Sequence, residues 1–367
     1  MMNATVERLA GWPGSRPGPV RLQINPTERC NLHCRFCWQQ DTERVSYDNE
    51  ISDQRYAAII DEAADMGVKE VTVTGGGEPL CRKEAFLKIM RQIKGHGMRG
   101  TLITNGTLLQ ETDAVAMIES GWDEVIFSLD SPDRETHEYL RNDRGCFDKT
   151  VGAIRQFSLL KGRSGMAVPK ICIHYVVCNR NHAQIVEMVQ LAHTIGAANI
   201  FFEPIVNVSV FTDLGKRLKM TKDEQAEFQR LRPKAAALCD RLGLEYNLAD
   251  LSCEVVDKTN EMDKVIEGDL KQQDGGGLLS AACYEPFHNM VIRPNGRAGP
   301  CCMFDESGEY VHDKSLADIW QGRHFNLVRE RLLRGELLDY CRQCNPGTVA
   351  SNRQIRGMLR NAVRNNQ

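Results

Sequence analysis

Cysteine is the residue type of this chain with the greatest capacity for chemistry, and it occurs fourteen times among 367 residues. Cys30, Cys34 and Cys37 form a C-x3-C-x2-C loop directly after an apolar run of strand length. Three thiolates on a short loop can face one centre, and soft sulfur ligands suit an iron–sulfur cluster or zinc. A closed zinc site needs a fourth protein ligand, and the neighbouring His33 would have to turn back sharply to supply it. Three cysteines therefore favour a cubane cluster that keeps one iron open to another ligand.

A second group of cysteines lies near the C-terminus. Cys283 and Cys301 precede a C-x2-C pair, Cys341 and Cys344, and these four thiols could close around one metal centre. By spacing alone, structural zinc is as good an interpretation as an iron–sulfur cluster, because four-cysteine zinc sites are common. Cys302 is left over, and its simplest interpretation is a buried small residue.

Composition limits the compartment and the partners. The 46 Lys and Arg residues against 49 Asp and Glu give a net charge of −3, which supports neither a nucleic-acid partner nor a membrane partner. Residues 1–18 lack the apolar run of a secretory signal, and no apolar stretch approaches the roughly 18 residues of a membrane-spanning helix. We therefore expect a cytoplasmic protein, in which thiols stay reduced and clustered cysteines bind metal rather than form disulfides.

The elements that must position these cysteines alternate between strand and helix patterns. Strands are predicted at 20–24, 70–74, 99–104, 124–128, 170–177 and 199–203, and helices at 53–66, 83–96, 111–120, 147–160 and 183–195. Asp53 and Asp113 are predicted as helix N-caps, and Gly67, Gly121 and Gly196 as C-caps. Strands joined by crossover helices form a parallel sheet, so the fold class is α/β, either an open doubly wound sheet or a barrel.

The chain divides into five predicted segments. They are an N-terminal lead (1–19), a βα barrel (20–210), a helical connecting region (211–279) with a long helix at 222–242, a small cysteine-rich α+β module (280–346), and a basic helix or tail (347–367). The glycine run at 275–277 marks the boundary before the module, which contains a hairpin candidate at 290–300. A unit this small needs a bound metal as a staple. The tail's arginines at 353, 356, 360 and 364 share one helix face, which we expect to be solvated.

The barrel segment resembles the radical S-adenosylmethionine (SAM) enzymes. Besides the cysteine loop, the turn Gly76-Gly77-Glu78-Pro79 at the end of the second strand matches that family's GGEP motif. The resemblance implies a partial (β/α)6 barrel of TIM type, which decides between the two kinds of sheet. It also implies a [4Fe–4S] cluster on the three loop cysteines, Cys30, Cys34 and Cys37.

The same resemblance implies a set of SAM contacts, nearly all at the carboxyl ends of strands. They are Phe36, Gly76, Gly77, Glu78, Pro79, Asn105, Ser128, Asp130 and Arg141. By this resemblance Glu78 accepts the methionyl ammonium, and Ser128 and Asp130 contact the ribose. Arg141 would bind the SAM carboxylate, with Arg144 as its rival because the family usually has glycine after the arginine and this chain has asparagine.

The cysteine-rich module is similar to the SPASM and twitch modules that follow radical SAM barrels. The resemblance lies in the segments 293–302, 314–320 and 341–344. Full SPASM modules have seven or more cysteines, so the five of this module fit the shorter twitch form with one auxiliary [4Fe–4S] cluster. Its implied ligands are Cys283, Cys301, Cys341 and Cys344, with Cys302 outside the set.

These resemblances imply reductive cleavage of SAM to a 5′-deoxyadenosyl radical that takes a hydrogen atom from a substrate. An external one-electron donor such as flavodoxin or ferredoxin would supply the electron. The favoured outcome is oxidation of a hydroxyl-bearing carbon of a sugar or cyclitol, because a closed auxiliary cluster can collect the second electron. Glu203 and His174, on the sixth and fifth strands, are candidate proton acceptors.

Three alternatives remain open from the sequence. The first is an epimerase in which a thiol returns a hydrogen atom, and Cys302, Cys253, Cys178 and Cys81 are available for this. The second is modification of a peptide. The segment before the barrel counts against it, because it is too short for a peptide-binding domain. The third is a non-enzymatic zinc or iron–sulfur protein, which would leave the GGEP motif without a role.

Overall fold

The computed structural model describes residues 2–12, 17–40, 49–205, 217–248, 266–269, 277–304, 308–344 and 346–364. It confirms an α/β fold with a parallel sheet. The predicted strands are β1 (Arg21–Ile24), β2 (Glu70–Val73), β3 (Arg99–Thr104), β4 (Glu124–Ser128), β5 (Lys170–Val177) and β6 (Asn199–Pro204). Along β5, Ile171, Ile173 and Tyr175 are buried in the core, whereas the less buried His174 projects from the opposite face of the sheet.

Helices pack on the outer face of this sheet. An N-terminal helix, α1 (Met2–Ala10), precedes β1, and the crossover helices are α2 (Asp53–Asp65), α3 (Lys83–Gly95), α4 (Glu111–Glu119), α5 (Arg134–Arg141), α6 (Cys146–Ser164) and α7 (Ile185–Thr194). Phe127 of β4 meets Phe157 of α6 edge to face, with ring centroids 6.3 Å apart, and both side chains are completely buried. Burial of each such side chain contributes about 2 kcal/mol to the stability of the layered fold.

The ends of these helices agree in part with the sequence patterns. The predicted C-cap glycines all have positive φ angles: Gly67 at 77°, Gly121 at 68° and Gly196 at 87°. The N-cap predictions were wrong. Ser52 caps α2 by accepting a hydrogen bond from the Arg55 N–H, so Asp53 is the first helical residue. Gln110 caps α4, and Asp113 reaches back from the third helical position to the Gln110 N–H in a capping box.

The sheet extends beyond the six predicted strands at both edges. After the predicted helix α8 (Lys222–Leu242), the strand β7 (Glu245–Tyr246) pairs with β6. At the other edge β8 (Asn289–Ile292) pairs in parallel with β1, and β9 (Arg297–Gly299) and β10 (Glu309–Tyr310) follow in antiparallel pairing. The predicted hairpin therefore forms, but it continues the barrel sheet in the order β10-β9-β8-β1-β2-β3-β4-β5-β6-β7. Without β8, the edge of β1 would present unpaired backbone groups.

Short helices complete the C-terminal part of the chain. They are α9 (Glu285–His288), α10 (Leu316–Trp320), α11 (Arg323–Leu333) and the longer α12 (Pro346–Arg364). The basic face predicted for α12 is not wholly solvated. Arg356 is buried and donates to the Ala281 carbonyl at 2.8 Å, while the exposed Arg353 pairs with Asp269 at 2.6 Å. The hydrophobic side of α12 packs on α1, which explains why one of its arginines is enclosed.

Two further predictions concern the boundary before the cysteine-rich module and the absence of a membrane-spanning helix. The glycine boundary at 275–277 lies outside the described residues except for Gly277. Among the helices that the structure does describe, none combines the length and the apolar character needed to cross a bilayer.

Candidate active site

The first cysteine loop leaves the carboxyl end of β1 and packs as a small cluster of its own. Cys34 is buried with Leu32 and Cys146, and the half-buried Cys30 and Cys37 pack against them. The turn is closed by a hydrogen bond from the Cys37 N–H to the Cys34 carbonyl at 3.0 Å. Burial raises the pKa of Cys30 to about 12 and that of Cys37 to about 11, and the neighbouring thiols add to both shifts. Thiolates here therefore need a positive partner, which the irons of a cluster would provide.

The glycines of the GGEP turn allow that turn to dock on the cysteine loop. The Gly77 N–H donates to the Thr27 carbonyl at 2.8 Å, and the Glu78 N–H donates to the Arg29 carbonyl at 2.9 Å. A Cβ atom on Gly77 would lie 2.1 Å from the Arg29 carbonyl oxygen, and one on Gly76 would lie 2.1 Å from a carboxylate oxygen of Glu28. Glycine is required at both positions because the backbone approaches other parts of the protein this closely.

Glu78 ties the turn to the end of β3. Its side chain is 3% exposed and accepts hydrogen bonds from the Leu80 N–H, from the Thr104 hydroxyl at 2.6 Å and from the Asn105 N–H at 2.8 Å. Burial raises the pKa of Glu78, and these hydrogen bonds oppose the rise. Asn105 in turn donates from its side chain to Asn31 of the cysteine loop at 3.0 Å. Pro79, buried beside Glu78, begins a short 3-10 turn, so the GGEP residues and Asn105 form one framework around the loop.

Arg141 points at the cysteine loop from the end of α5. Its Nη1 lies 3.6 Å from Cys34 Sγ as a hydrogen-bond donor, and its guanidinium lies 5.3 Å from the centre of the Phe36 ring. Its Nε is 2.6 Å from the carboxylate of Asp130, a contact made as an ion pair because the N–H is not well aligned with the oxygen. Arg144 is exposed, so the structure brings Arg141 rather than its rival to the predicted SAM site.

Asp130 is the buried counter-ion of Arg141. It has no exposed surface, and its other oxygen accepts a hydrogen bond from the Val176 N–H at 3.1 Å. The carboxylate is thus engaged by the protein, and the Asp130 N–H is held by His137 Nδ1 at 3.2 Å. Ser128, by contrast, is only half-buried at the end of β4. The ribose contacts assigned to Ser128 and Asp130 stay predictions.

The two candidate proton acceptors form a pair on the inner face of the barrel. His174 Nε2 lies 2.7 Å from Glu203 Oε2 across the neighbouring strands β5 and β6, and each side chain is 23% exposed. Phe201, one alternate position before Glu203, is 43% exposed, and its ring lies 5.7 Å from the imidazole. An acid–base pair beside an exposed aromatic ring is a surface on which a small polar substrate could bind.

The second set of cysteines lines one cavity between the hairpin and the C-terminal helices. Its predicted ligands all border the cavity, and they are Cys283, Cys301, Cys341 and Cys344. The 3-10 turn Asp339–Gln343 presents the C-x2-C pair, closed by a hydrogen bond from the Cys344 N–H to the Cys341 carbonyl at 3.1 Å. Apolar residues including Val328 and Leu332 form much of the wall. Burial raises the pKa values of Cys283, Cys301 and Cys344, and neighbouring thiols of the site add to each rise.

Cys302 also borders this cavity, and it is exposed rather than buried as its simplest interpretation suggested. Although the residue has exposed surface, the protein packed around its thiol partly desolvates it and raises the pKa to about 11, and the carboxylates of Glu285 and Glu203 add to the rise. The Glu203 carboxylate is thus within electrostatic range of the hairpin. Among the other thiols considered as hydrogen-atom donors, Cys81 is exposed and Cys178 is buried, and Cys253 lies outside the described residues.

Both donor sets fit iron–sulfur clusters by their chemistry. Each consists of soft sulfur ligands in a poorly solvated place, and a buried cation accompanies the first. Within the described ranges, no three His, Cys, Asp or Glu side chains converge tightly enough for a single metal ion. A cubane binds each thiolate through a different iron, so its ligands do not have to converge on one point.

One residue at the second site had no signal in the sequence. Asn352, on α12, donates from its side-chain amide to Cys283 Sγ at 3.4 Å. It lies eight residues beyond the last cysteine in a helix that we predicted only as a basic tail. No local pattern marks an asparagine as the neighbour of a thiol so distant in the chain.

An open parallel barrel with three thiols beyond its strand ends and four more beside its hairpin defines an iron–sulfur protein of the α/β-barrel class. Family models match two parts of the chain: residues 24–192 match the radical SAM superfamily, and residues 283–345 match an iron–sulfur cluster-binding domain, SPASM. The chain therefore carries a radical SAM domain followed by a SPASM-type module. Its cofactors are SAM, a [4Fe–4S] cluster in the barrel and auxiliary iron–sulfur clusters in the module.

Individual relatives differ in how much of the chain they share. The Fe-coproporphyrin III synthase of Methanosarcina barkeri is 36% identical over 127 residues, which are 35% of this chain and 31% of the synthase. The PqqA peptide cyclase of Granulibacter bethesdensis is 27% identical over 83% of this chain and 74% of the cyclase. SuiB of Streptococcus suis, solved with bound SAM, has a TM-score of 0.64 at 19% identity over 89% of this chain and 72% of SuiB. The matches with the synthases span a third to a half of those relatives' own length.

Proposed function

We propose that the chain is a radical SAM oxidoreductase that converts a hydroxyl-bearing carbon of its substrate to a carbonyl. The observation that carries this proposal is the His174–Glu203 pair, with 2.7 Å between Nε2 and Oε2 on the inner face of the barrel. Such an oxidation removes a hydrogen atom from carbon, a proton from the hydroxyl and one further electron. An imidazole hydrogen-bonded to a carboxylate can take up that proton, because the carboxylate stabilises the imidazolium.

The cofactors, when bound, supply the 5′-deoxyadenosyl radical that removes the hydrogen atom and an acceptor for the remaining electron. The residues that would hold them are Cys30, Cys34 and Cys37 in the barrel, and Cys283, Cys301, Cys341 and Cys344 in the module. The chain's own contribution is to accept the proton and to orient the carbon skeleton, for which the exposed ring of Phe201 next to the base is suited.

The four-thiol set of the second site supports electron transfer rather than direct ligation of the substrate. All four predicted ligands, Cys283, Cys301, Cys341 and Cys344, border one cavity. Four thiols would complete the coordination of a closed cluster and leave it able to exchange electrons only.

A sugar or cyclitol is the substrate class that we propose first, with flavodoxin or ferredoxin as external electron donor. A peptide is the second candidate, and the specific support for it is the match with the PqqA peptide cyclase over 83% of this chain. SuiB, similar in fold, is also known in a complex with its precursor peptide SuiA. A serine or threonine side chain would present the same hydroxyl-bearing carbon to the His174–Glu203 pair.

The test uses anaerobically reconstituted protein with dithionite, SAM and a panel of polyols and hydroxyl-containing peptides deuterated at the carbinol carbon. We expect deuterium to move into 5′-deoxyadenosine and the product to lack two hydrogens. Glu203→Gln should slow product formation at least about tenfold, because it removes the carboxylate that stabilises the protonated imidazole of His174. Glu84→Gln, a matched change at an exposed position of α3, should have no effect.

Other outcomes separate the alternatives. If Glu203→Gln formed product at the rate of the parent protein, the His174–Glu203 pair would not be the base of the reaction. A product of unchanged hydrogen count that acquires deuterium from deuterated water would establish an epimerase instead. Turnover confined to peptides would select the second substrate class. Zinc in place of iron in anaerobically purified protein would refute every enzymatic interpretation.

A further inference from the structure

Asn352 connects α12 to the segment that carries the first ligand of the second cysteine site. Its Oδ1 accepts a hydrogen bond from the Tyr284 N–H at 2.8 Å, and its Nδ2 donates to Cys283 Sγ at 3.4 Å. The two contacts determine how the amide is oriented, because only the oxygen can accept from a backbone N–H. The amide nitrogen must then face the sulfur. Asn352 is 5% exposed, so water does not compete for these contacts.

Other contacts hold α12 in this position. Arg356, one turn further along, donates to the Ala281 carbonyl at 2.8 Å and lies over the Tyr284 ring at 5.5 Å. Ile355 and Leu359 are buried in a hydrophobic cluster with residues of α1 and with Tyr284. The segment around Cys283 is therefore clamped by α12 on both sides of the cysteine. The hydrogen bond to sulfur is a built contact and not the chance orientation of a surface side chain.

We infer that Asn352 is a positioning residue that hydrogen-bonds the Cys283 ligand of the auxiliary cluster and raises the reduction potential of that cluster. A cluster gains negative charge on reduction, part of which resides on its sulfur ligands. An N–H donor therefore stabilises the reduced form more than the oxidised form. The apolar wall of the cavity strengthens such a bond, since the local dielectric constant is low.

This inference rests on the proposed auxiliary cluster and adds a residue that the family match does not include. The matched SPASM region ends at residue 345, and α12 begins at Pro346. The helix α12 would thus influence the reduction potential of the cluster, which the matched module alone does not determine. A higher potential makes the cluster a better acceptor for the electron that leaves the substrate.

The experiment is a redox titration, followed by electron paramagnetic resonance, of reconstituted protein and its variants. Asn352→Asp keeps an oxygen to accept from the Tyr284 N–H but removes the donor to sulfur. Asn352→Leu removes both contacts at similar volume. Arg353→Ala, at the adjacent exposed position, is the matched control for changes in the helix. Addition of SAM, which binds only the open cluster of the barrel, distinguishes the two signals.

We expect both Asn352 variants to shift the midpoint of the auxiliary cluster to a more negative potential, with the larger shift for the added charge of aspartate. The midpoint of the barrel cluster, which is the internal control, and the values for Arg353→Ala should equal those of the parent protein. An unshifted auxiliary midpoint in Asn352→Asp overturns the inference. Loss of the auxiliary cluster in both variants also overturns it, because Asn352 would then only support the fold.

Failure of the proposed cluster itself would give a different result. Parent protein with two cubanes binds about eight irons per chain, at four per cubane, and Cys283→Ala should bind about four. If the parent protein binds only about four irons, the auxiliary cluster is refuted before Asn352 is tested. If it binds about eight and the Asn352 midpoints do not move, only the role of Asn352 is refuted.

Discussion

Two buried histidines should make the stability of this protein fall steeply in mild acid. His137 accepts the Asp130 N–H at its Nδ1, at 3.2 Å, and His288 Nδ1 lies 3.3 Å from Arg21 Nη2, which can only donate. In both rings protonation of Nδ1 would break an existing hydrogen bond. Burial lowers the pKa of each histidine from 6.5 to about 4. A nearby carboxylate, Asp130 for His137 and Glu285 for His288, opposes this shift, and a nearby arginine adds to it.

The sign and size of the effect follow from linkage. Since the pKa is lower in the folded state, the unfolded chain binds more protons between pH 6.5 and about pH 4, and stability is lost as the pH falls through that range. A difference of one between the two pKa values corresponds to about 1.4 kcal/mol. Each histidine should therefore cost about 2 kcal/mol of unfolding free energy between pH 7 and pH 5 and about 3 kcal/mol in all.

The assay is urea unfolding under anaerobic conditions at pH 7 and pH 5, for the parent protein and for His137→Gln and His288→Gln. Glutamine keeps a hydrogen-bond acceptor and does not titrate in this range. Each variant should lose about 2 kcal/mol less than the parent between the two pH values, whatever its stability at pH 7. His193→Gln changes an exposed histidine and should leave the pH dependence close to that of the parent. Equal losses in the parent and both buried-site variants would refute the reasoning.

Three more changes test the barrel site. Gly77→Ala should lower the free energy of unfolding by about 1–3 kcal/mol in thermal or urea unfolding, because the added Cβ would lie 2.1 Å from the Arg29 carbonyl oxygen. Gly95→Ala is the control and should not destabilise the protein, because no atom lies within 4 Å of its added Cβ. Cys34→Ala should lower the iron content by about four per chain and abolish 5′-deoxyadenosine formation; persistence of that product would contradict the barrel cluster. Arg141→Leu should make the midpoint reduction potential of the barrel cluster more negative and leave that of the auxiliary cluster unchanged, because it removes the hydrogen-bond donor 3.6 Å from Cys34 Sγ. Equal shifts of both potentials would argue against a local contact.

The barrel could be predicted from the sequence because its signals are local. The strand at 99–104 has the predicted bounds, since its short run of β-branched and apolar residues and the glycine that ends the preceding helix are both short-range features. The two N-caps were misjudged for a local reason as well. Aspartate is favourable both as a cap and in the first turn, and the side chain alone does not show which of the two positions it occupies.

The pairing of β8 with β1 could not be predicted, because it joins residues far apart in the chain. Asn289 lies opposite Arg21 in the ladder, and nothing near either residue specifies the other. The same reason accounts for Asn352 and for the burial of Arg356. The character of both residues depends on the segment 281–284, which packs against them only in the folded chain.

The β1–β8 ladder also separates the two cysteine sites along the sheet. The first cysteine loop follows the carboxyl end of β1, where the Asn25 N–H donates to the Ile292 carbonyl at 2.9 Å. The second site flanks the amino end of β8, where Asn289 Nδ2 donates to the Pro300 carbonyl next to Cys301. The two sites therefore occupy opposite ends of one pair of strands. The first and the last of the four paired residues are three steps apart, which is about 10 Å at roughly 3.3 Å per step.

A separation measured along paired backbone differs from one across a flexible linker. The parallel ladder of main-chain hydrogen bonds fixes the register of β1 and β8, the strands from which the two cysteine segments extend. His174 and Glu203 lie on β5 and β6, several strands away from this ladder in the sheet. In the proposed function, a substrate bound beside this pair would lie between the radical source at one end of the ladder and the electron acceptor at the other. The pairing of β1 with β8 would then hold the two cofactors of the successive hydrogen-atom and electron transfers at a fixed spacing.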